Sequence, residues 1–187
     1  MTKFKKYKMF INGEWIDSES KKTFQTLNPE NNEPWAEVPE ANEKDVDKAV
    51  SAAQKAFEGI WPKLFPKERA KYLTAIAEQL RENAELLGKI ETIDTGKLFK
   101  ETKTQANYIA EYYDYYAGLA DKVEGTVLPI DKTNMQVITT RVPIGVVAAI
   151  IPWNSQMLLT AVKLAPALAM GNTVVIKSSE LAPATLF

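Results

Sequence analysis

Two short stretches carry the polar groups best placed to do chemistry. The run GVVAAII (145–151) stops on Pro152-Trp153-Asn154-Ser155, and TVVIK (173–177) ends on Lys177 and runs into Ser178-Ser179-Glu180. Continuous apolar, β-branched runs of this kind are the pattern of strands buried on both faces of a parallel sheet. Ligands of such sheets bind outside the carboxyl ends of the strands. An amide donor (Asn154), an ammonium (Lys177) and a carboxylate (Glu180) would then converge on one crevice, where the last two could hydrogen-bond ribose hydroxyls. The same residues also have plain structural uses. Asn154 and Ser155 are candidates to cap a helix N-terminus. Lys177 can end a strand in solvent, and Glu180 is a favourable charge near a helix start.

Two absences narrow the chemistry. The chain of 187 residues contains no cysteine and no histidine. Disulfides, thiolate nucleophiles, zinc sites and Ser-His or Cys-His pairs are therefore excluded within it. Lys, Asp, Glu, Tyr, Asn, Ser and Thr remain, or residues supplied from elsewhere. The eight glycines include no G-x-G, so a standard dinucleotide phosphate loop is absent. With 23 basic and 24 acidic residues the net charge is −1, which leaves no nucleic-acid footprint. The lysines of KFKKYK (3–8) read as a solvated tail. No run approaches the roughly 18 apolar residues of a membrane span, and the start lacks the apolar stretch of a secretory signal. The expectation is a cytoplasmic protein with no nucleic-acid or membrane partner.

The elements that must position these groups follow from pattern. MFINGEWID (9–17) is a hairpin around Asn12-Gly13, a dipeptide suited to a type I′ turn. Residues 23–29 and 33–41 continue in extended form, so the first forty residues read as antiparallel β. Asn42 can cap a helix to about Phe57, with Val46, Ala49, Val50, Ala53 and Phe57 on one face. Pro66 opens a second helix with the stripe Ala70, Leu73, Ile76, Ala77 and Leu80. A third carries Leu86, Leu87, Ile90 and Ile93 and ends at Gly96. In a fourth, from about 100 to 119, Tyr108, Tyr112, Tyr115 and Tyr116 form a stripe expected to pack in the core or an interface. VLPIDKTNMQVITTRVP (127–143) is a second hairpin, marginal on its own and a candidate oligomer contact. A helix from about Gln156 to Met170, closed by Gly171-Asn172, joins the two apolar strands into a βαβ unit. Pro183 opens a last helix that stops after one turn. Two parallel strands fall short of the usual five or six, so the chain reads as part of a longer protein. The alternative is a naturally truncated, non-catalytic paralogue acting as a binding or assembly module.

The ordered series FINGEW, LNPENNEP, DVDKAVSAAQKAF, ETIDTGK, YYAGLADKVEG, VPIGVVAAIIPWN, KLAPALAMGNTVVIKSSE and LAPATL resembles the N-terminal part of the aldehyde dehydrogenase superfamily. The resemblance implies an α/β fold: an incomplete Rossmann-like doubly wound parallel sheet with an N-terminal antiparallel hairpin, a helical segment and a β-hairpin oligomerisation arm. It implies that residues 1–125 belong to the NAD-binding domain, 126–143 to the arm, and 144–187 to the first βαβ unit of the sheet. The catalytic domain would lie outside the chain. Asn154 would be the oxyanion-hole amide and Lys163 a proton-relay lysine. Ile150, Ile151, Pro152 and Trp153 would line the cofactor groove, and Lys177, Ser178 and Glu180 would hold the adenosine ribose. A carboxylate at 180 favours NAD over NADP, whose 2′-phosphate it would repel. Asp94, with backbone near Leu27 and Leu181, would ligate a monovalent cation in members that bind one. The implied reaction is oxidation of an aldehyde to a carboxylic acid through a thioester on a cysteine beyond this chain, in a homodimer or homotetramer. The 187 residues alone are expected to be inactive. Ser155-Gln156 departs from the aromatic-Pro that often follows PWN in the family.

Overall fold

The computed structural model describes residues 4–187, so Lys3 of the basic stretch lies outside them. Strands β2 (Met9–Ile11) and β3 (Glu14–Ile16) form the expected hairpin. Its turn requires left-handed backbone at both central residues, and Asn12 (φ 56°) and Gly13 (φ 81°) adopt it. β4 (Thr23–Asn28) then pairs antiparallel with β5 (Glu33–Pro39). The N-terminal region is nevertheless not wholly antiparallel. β1 (Lys5–Lys6) joins β5 in parallel, and Lys6 Nζ reaches Glu37 at 2.9 Å. With β4 on one side, the other edge of β5 offers unpaired backbone groups that recruit the start of the chain. Part of the expected solvated tail is thus a paired strand.

Four helices follow in sequence, and a fifth, after the second ribbon, packs with them. α1 (Glu43–Glu58) begins with a complete capping box between Asn42 and Asp45. The buried Asp45 carboxylate also accepts from the Glu19 N–H at 3.0 Å, which ties the helix start to the segment after β3. α2 (Pro66–Glu82) opens on its proline, and α3 (Ala84–Thr95) closes on Gly96 at φ 76°. α4 (Phe99–Leu119) packs against both, and α5 (Gln156–Ala169) completes the core. That core is built from Leu73 and Ala77 of α2, Ala106, Ile109, Ala110, Tyr113 and Ala117 of α4, and Met157, Ala161 and Ala165 of α5. Fully burying a Leu or Ile here contributes about 1.5–3 kcal/mol. Small residues set the helix spacing. At Gly88 of α3 an added Cβ would lie 2.8 Å from the Lys103 backbone of α4, so only glycine permits the approach.

The tyrosine stripe meets this core only in part: Tyr112 and Tyr116 are half-buried against it. Tyr108 and Tyr115 are 55% and 61% exposed, and the buried tyrosine is Tyr113. The close α2–α4–α5 seam selects the face of α4 rich in alanine, which is offset from the stripe. Core continuity also crosses the boundary near residue 143, because α5 packs directly on α4 and α2.

The second ribbon is slighter than its sequence suggests. Only Val127–Leu128 (β6) and Val137–Ile138 (β7) pair, antiparallel, and nearly all of 127–142 is exposed. β8 (Val146–Ile150) and β9 (Thr173–Lys177) are parallel and joined through α5, the expected βαβ unit. Gly171 at φ 84° turns the chain out of α5. The buried Asn172 then accepts from the Ile144 and Gly145 N–H groups at 2.7 and 3.1 Å, which locks the end of the helix to the start of β8. The strands are not buried on both faces: Ile150 is 70% exposed, and Ala148 and Ile176 are exposed too. Among the described residues α1 and α5 are the helices packed on these two strands, and no third strand flanks them. Beyond Pro183 the chain makes a 3-10 turn, Ala184–Leu186, in place of an α-helix. No helix among the described residues is long and apolar enough to cross a membrane.

Candidate functional site

Parallel pairing brings the two polar strand ends together. Ile150 stands opposite Lys177, and the Ile151 N–H donates to the Lys177 carbonyl at 3.0 Å. Pro152-Trp153-Asn154 and Lys177-Ser178-Ser179-Glu180 therefore leave the sheet side by side at its carboxyl edge. Ile151 is buried beneath that edge, whereas Ile150, Pro152 and Trp153 are exposed along it.

Asn154 sits exposed in the middle of a single 3-10 turn, Trp153–Ser155. The structure removes the capping reading. Ser155 occupies the N-cap position of α5, but its side chain makes no cap hydrogen bond. Its hydroxyl instead accepts from the ammonium of Lys97, at the end of α3. Among the described residues no side-chain hydrogen bond engages the Asn154 amide, which is exposed.

At the neighbouring strand end, Lys177 Nζ and Glu180 Oε2 are 3.0 Å apart and both are exposed. The Glu180 backbone N–H first, and Lys177 second, hold the Glu180 carboxyl below the usual carboxylate range. An ionised acceptor beside an ammonium suits a vicinal diol such as a ribose. Ser178 is half-buried between them in sequence. Lys163 is half-buried on α5, roughly 10 Å along the helix axis from its start.

Of the residues named for a monovalent cation, Asp94 is the centre of a buried hub. Asp94 Oδ1 accepts from the Thr26 hydroxyl at 2.8 Å and the Trp35 indole N–H at 3.2 Å, and Oδ2 accepts from the Ala184 N–H at 2.6 Å. Burial raises the Asp94 carboxyl above its usual range, and these donors oppose the rise. The Leu181 carbonyl accepts from Gln156 at 3.1 Å, while the Leu27 side chain is exposed. Among the described residues no cluster of acidic side chains suited to a metal occurs. Asp94 thus joins β4, β5 and the final turn.

Three site-supporting residues escaped the sequence reading. Gln156, fully buried, donates through Nε2 to the Leu181 and Ala182 carbonyls, linking the turn of Asn154 to the loop of Glu180. Lys97 is the second. The third is Glu91, 0% exposed and, among the described residues, with no hydrogen bond at either carboxyl oxygen. The departure of Ser155-Gln156 from the family pattern was the visible signal for the first two. Glu91 carries no signal in the sequence that sets it apart from the other charges on the helices.

Burial pushes the Glu91 carboxyl up. The nearby Thr185 hydroxyl and the Lys97 ammonium, 3.9 Å away, offset this in part. The folded state therefore holds its proton to higher pH than the unfolded chain does. It binds more protons across a window that begins at the usual carboxylate value, so stability falls as pH rises through that window. Glu91→Gln removes the buried charge. It is expected to stabilise the protein by about 1 kcal/mol at about pH 8, with the gain fading towards pH ~4. Denaturant unfolding at both pH values checks this, and a pH-independent difference would contradict it.

The sequence model of the Aldehyde dehydrogenase family matches residues 15–187. The chain belongs to the aldehyde dehydrogenase family. It is 49% identical over 181 residues to (Z)-2-((N-methylformamido)methylene)-5-hydroxybutyrolactone dehydrogenase of Acinetobacter baylyi, covering 96% of this chain and 37% of that protein. It is 44% identical to betaine aldehyde dehydrogenase of Bacillus subtilis, covering 95% of this chain and 36% of that one. Its fold superposes with a TM-score of 0.92 on a variant of betaine aldehyde dehydrogenase from Staphylococcus aureus in complex with NAD+, at 38% identity over 96% of this chain and 36% of that one. An NAD-dependent aldehyde dehydrogenase from Sinorhizobium meliloti gives 0.93 at 32% identity, covering 97% and 36%. The chain spans just over a third of the length of the curated relatives it matches.

Proposed function

We propose that this chain supplies the carbonyl-polarising and ribose-binding part of an NAD-dependent aldehyde dehydrogenase. The observation that carries this reading is the side-by-side exit of β8 and β9, which sets an unengaged amide beside an ammonium–carboxylate pair. As an aldehyde carbon becomes tetrahedral, its oxygen gathers negative charge, and the Asn154 N–H is the donor placed to stabilise it. Lys177 and Glu180 hold the ribose hydroxyls, with Ser178 beside them. The exposed edge Ile150-Pro152-Trp153, with Ile151 behind it, forms the wall of the cofactor groove. NAD, when bound, accepts the hydride. The ionised Glu180 disfavours a ribose bearing a 2′-phosphate, hence NAD over NADP.

The cysteine nucleophile and the base that activates the hydrolytic water lie in the remainder of the family's length, since this chain has no cysteine. Lys163 serves proton transfer with an acid from that remainder. The exposed ribbon 127–143 is the contact through which the protein forms a homo-oligomer. Support for these assignments comes from the family match and, for the ribbon, from its exposure.

The test compares two proteins. The purified 187-residue chain should form no NADH from any aldehyde in a mixed panel. A full-length family protein carrying this chain should form NADH from at least one of them. Turnover by the short chain, or no turnover by the long one with any aldehyde, sinks the reading.

A further inference from the structure

Asn154 stands on a turn that does not fix itself. The turn has no side-chain cap at its start, and α5, which follows it, has none at Ser155. A donor that must meet a developing oxyanion needs its position set in advance by neighbours whose own geometry is locked. Two tethers reach this turn from outside. Gln156 ties it to the Leu181–Ala182 carbonyls. Lys97 ties it to α3, which Gly96 ends in a left-handed bend directly before the lysine. The Lys97 side chain is 28% exposed and lies between the Ser155 hydroxyl and the buried Glu91 carboxyl. α3 is itself held in place by the Asp94 hub and by its close crossing with α4 at Gly88.

We propose that Lys97 is a positioning residue for the site: by gripping the Ser155 hydroxyl it holds the turn that carries Asn154, so that the amide is aimed before substrate arrives. A rigid helix end thus reaches an active-site turn through one ammonium–hydroxyl contact. Loss of that contact frees the turn by an amount that matters to transition-state geometry; Lys97→Met also takes from the buried Glu91 carboxyl its neighbouring ammonium, so it costs folding more than Ser155→Ala does. The proposal rests on the reading of Asn154 as the oxyanion donor.

The experiment is a mutant cycle in the full-length family protein carrying this chain, with steady-state kinetics, NAD affinity by fluorescence and the melting temperature read for each variant. Lys97→Met and Ser155→Ala should each lower kcat roughly tenfold, the scale expected for a displacement of the donor by a fraction of an ångström. KM and NAD affinity should stay near those of the parent in both variants, and the melting temperature should do so in Ser155→Ala, which leaves the Lys97–Glu91 pair in place. Lys97→Arg, which restores a cationic donor, should recover most of the loss. Combined with Asn154→Ala, the Lys97→Met substitution should cost nothing more, since there is no longer an amide to aim. A Lys97→Met variant within about twofold of the parent kcat would overturn the assignment. Effects that multiply in the double mutant, or weakened NAD binding in Lys97→Met, would do the same, because they mean a general loosening. An unaltered kcat in Asn154→Ala would remove the oxyanion reading and this proposal together, whereas a loss there with silent Lys97 and Ser155 variants would remove this proposal alone.

Discussion

Asn154→Ala, made in a full-length family protein carrying this chain, is expected to lower kcat by about 10²–10³ with little change in the affinity for NAD. Removing one preorganised donor from an oxyanion site typically costs about 2.7–4 kcal/mol of transition-state stabilisation. The ground-state carbonyl accepts weakly, so the loss falls on kcat and on kcat/KM together rather than on KM. The fold should not suffer: the side chain is exposed, caps no helix and takes part in none of the bonds that hold the turn. A melting temperature within a degree or two of the parent (roughly 0.5 kcal/mol for a domain of this size) is therefore part of the expected result. Asn154→Asp, equal in size but with an acceptor in place of the donor, should be at least as slow. A variant at position 154 that keeps more than about half of the parent kcat would refute the role given to the amide.

The second large effect is on stability. Asp94→Asn should destabilise the protein by about 2–3 kcal/mol, a factor of roughly 30–150 in the folding equilibrium. Asp94 faces donors on both oxygens: Thr26 and Trp35 on one, the Ala184 N–H on the other. An asparagine has one acceptor oxygen. Its NH₂ group must then confront either the Ala184 N–H or the Thr26–Trp35 pair, leaving buried donors without partners. Asp94→Ala, which leaves all three donors unpartnered, should cost more still. Urea unfolding with the slope compared between variants is the measurement, since a shared slope shows that only the midpoint has moved. A change below about 0.5 kcal/mol in the asparagine variant would mean that the hub is dispensable.

Much of the fold was legible because it rests on local rules. The Asn12-Gly13 turn, the Asn42–Asp45 capping box, Pro66 at the start of α2 and Gly96 after α3 each satisfy a backbone need within a few residues. The tyrosine stripe of α4 is divided, with Tyr112 and Tyr116 against the core and Tyr108 and Tyr115 exposed, because periodicity reveals that a face exists but not how much of it a neighbour will cover. Alanines won that choice through a helix spacing that only the assembled α2–α4–α5 seam defines. β1 was missed as a strand because two lysines carry no strand pattern, and their pairing is decided by the free edge of β5.

For the site, the sequence by itself determined the cast and excluded much of the chemistry. The absence of cysteine and histidine rules out a nucleophile of the thiolate kind within these residues, and PWN and IKSSE stand at the ends of two strand-like runs. Only the tertiary structure decided what those residues touch. That Ile150 lies opposite Lys177, that Lys97 reaches Ser155 across 58 positions, and that Asp94 bonds Ala184 across 90 are long-range contacts. Such contacts depend on how helices and strands pack, and no local spacing rule contains that information. The same holds for Glu91: a charge at a helix position is ordinary until packing buries it with one ammonium 3.9 Å away and, among the described residues, no hydrogen bond.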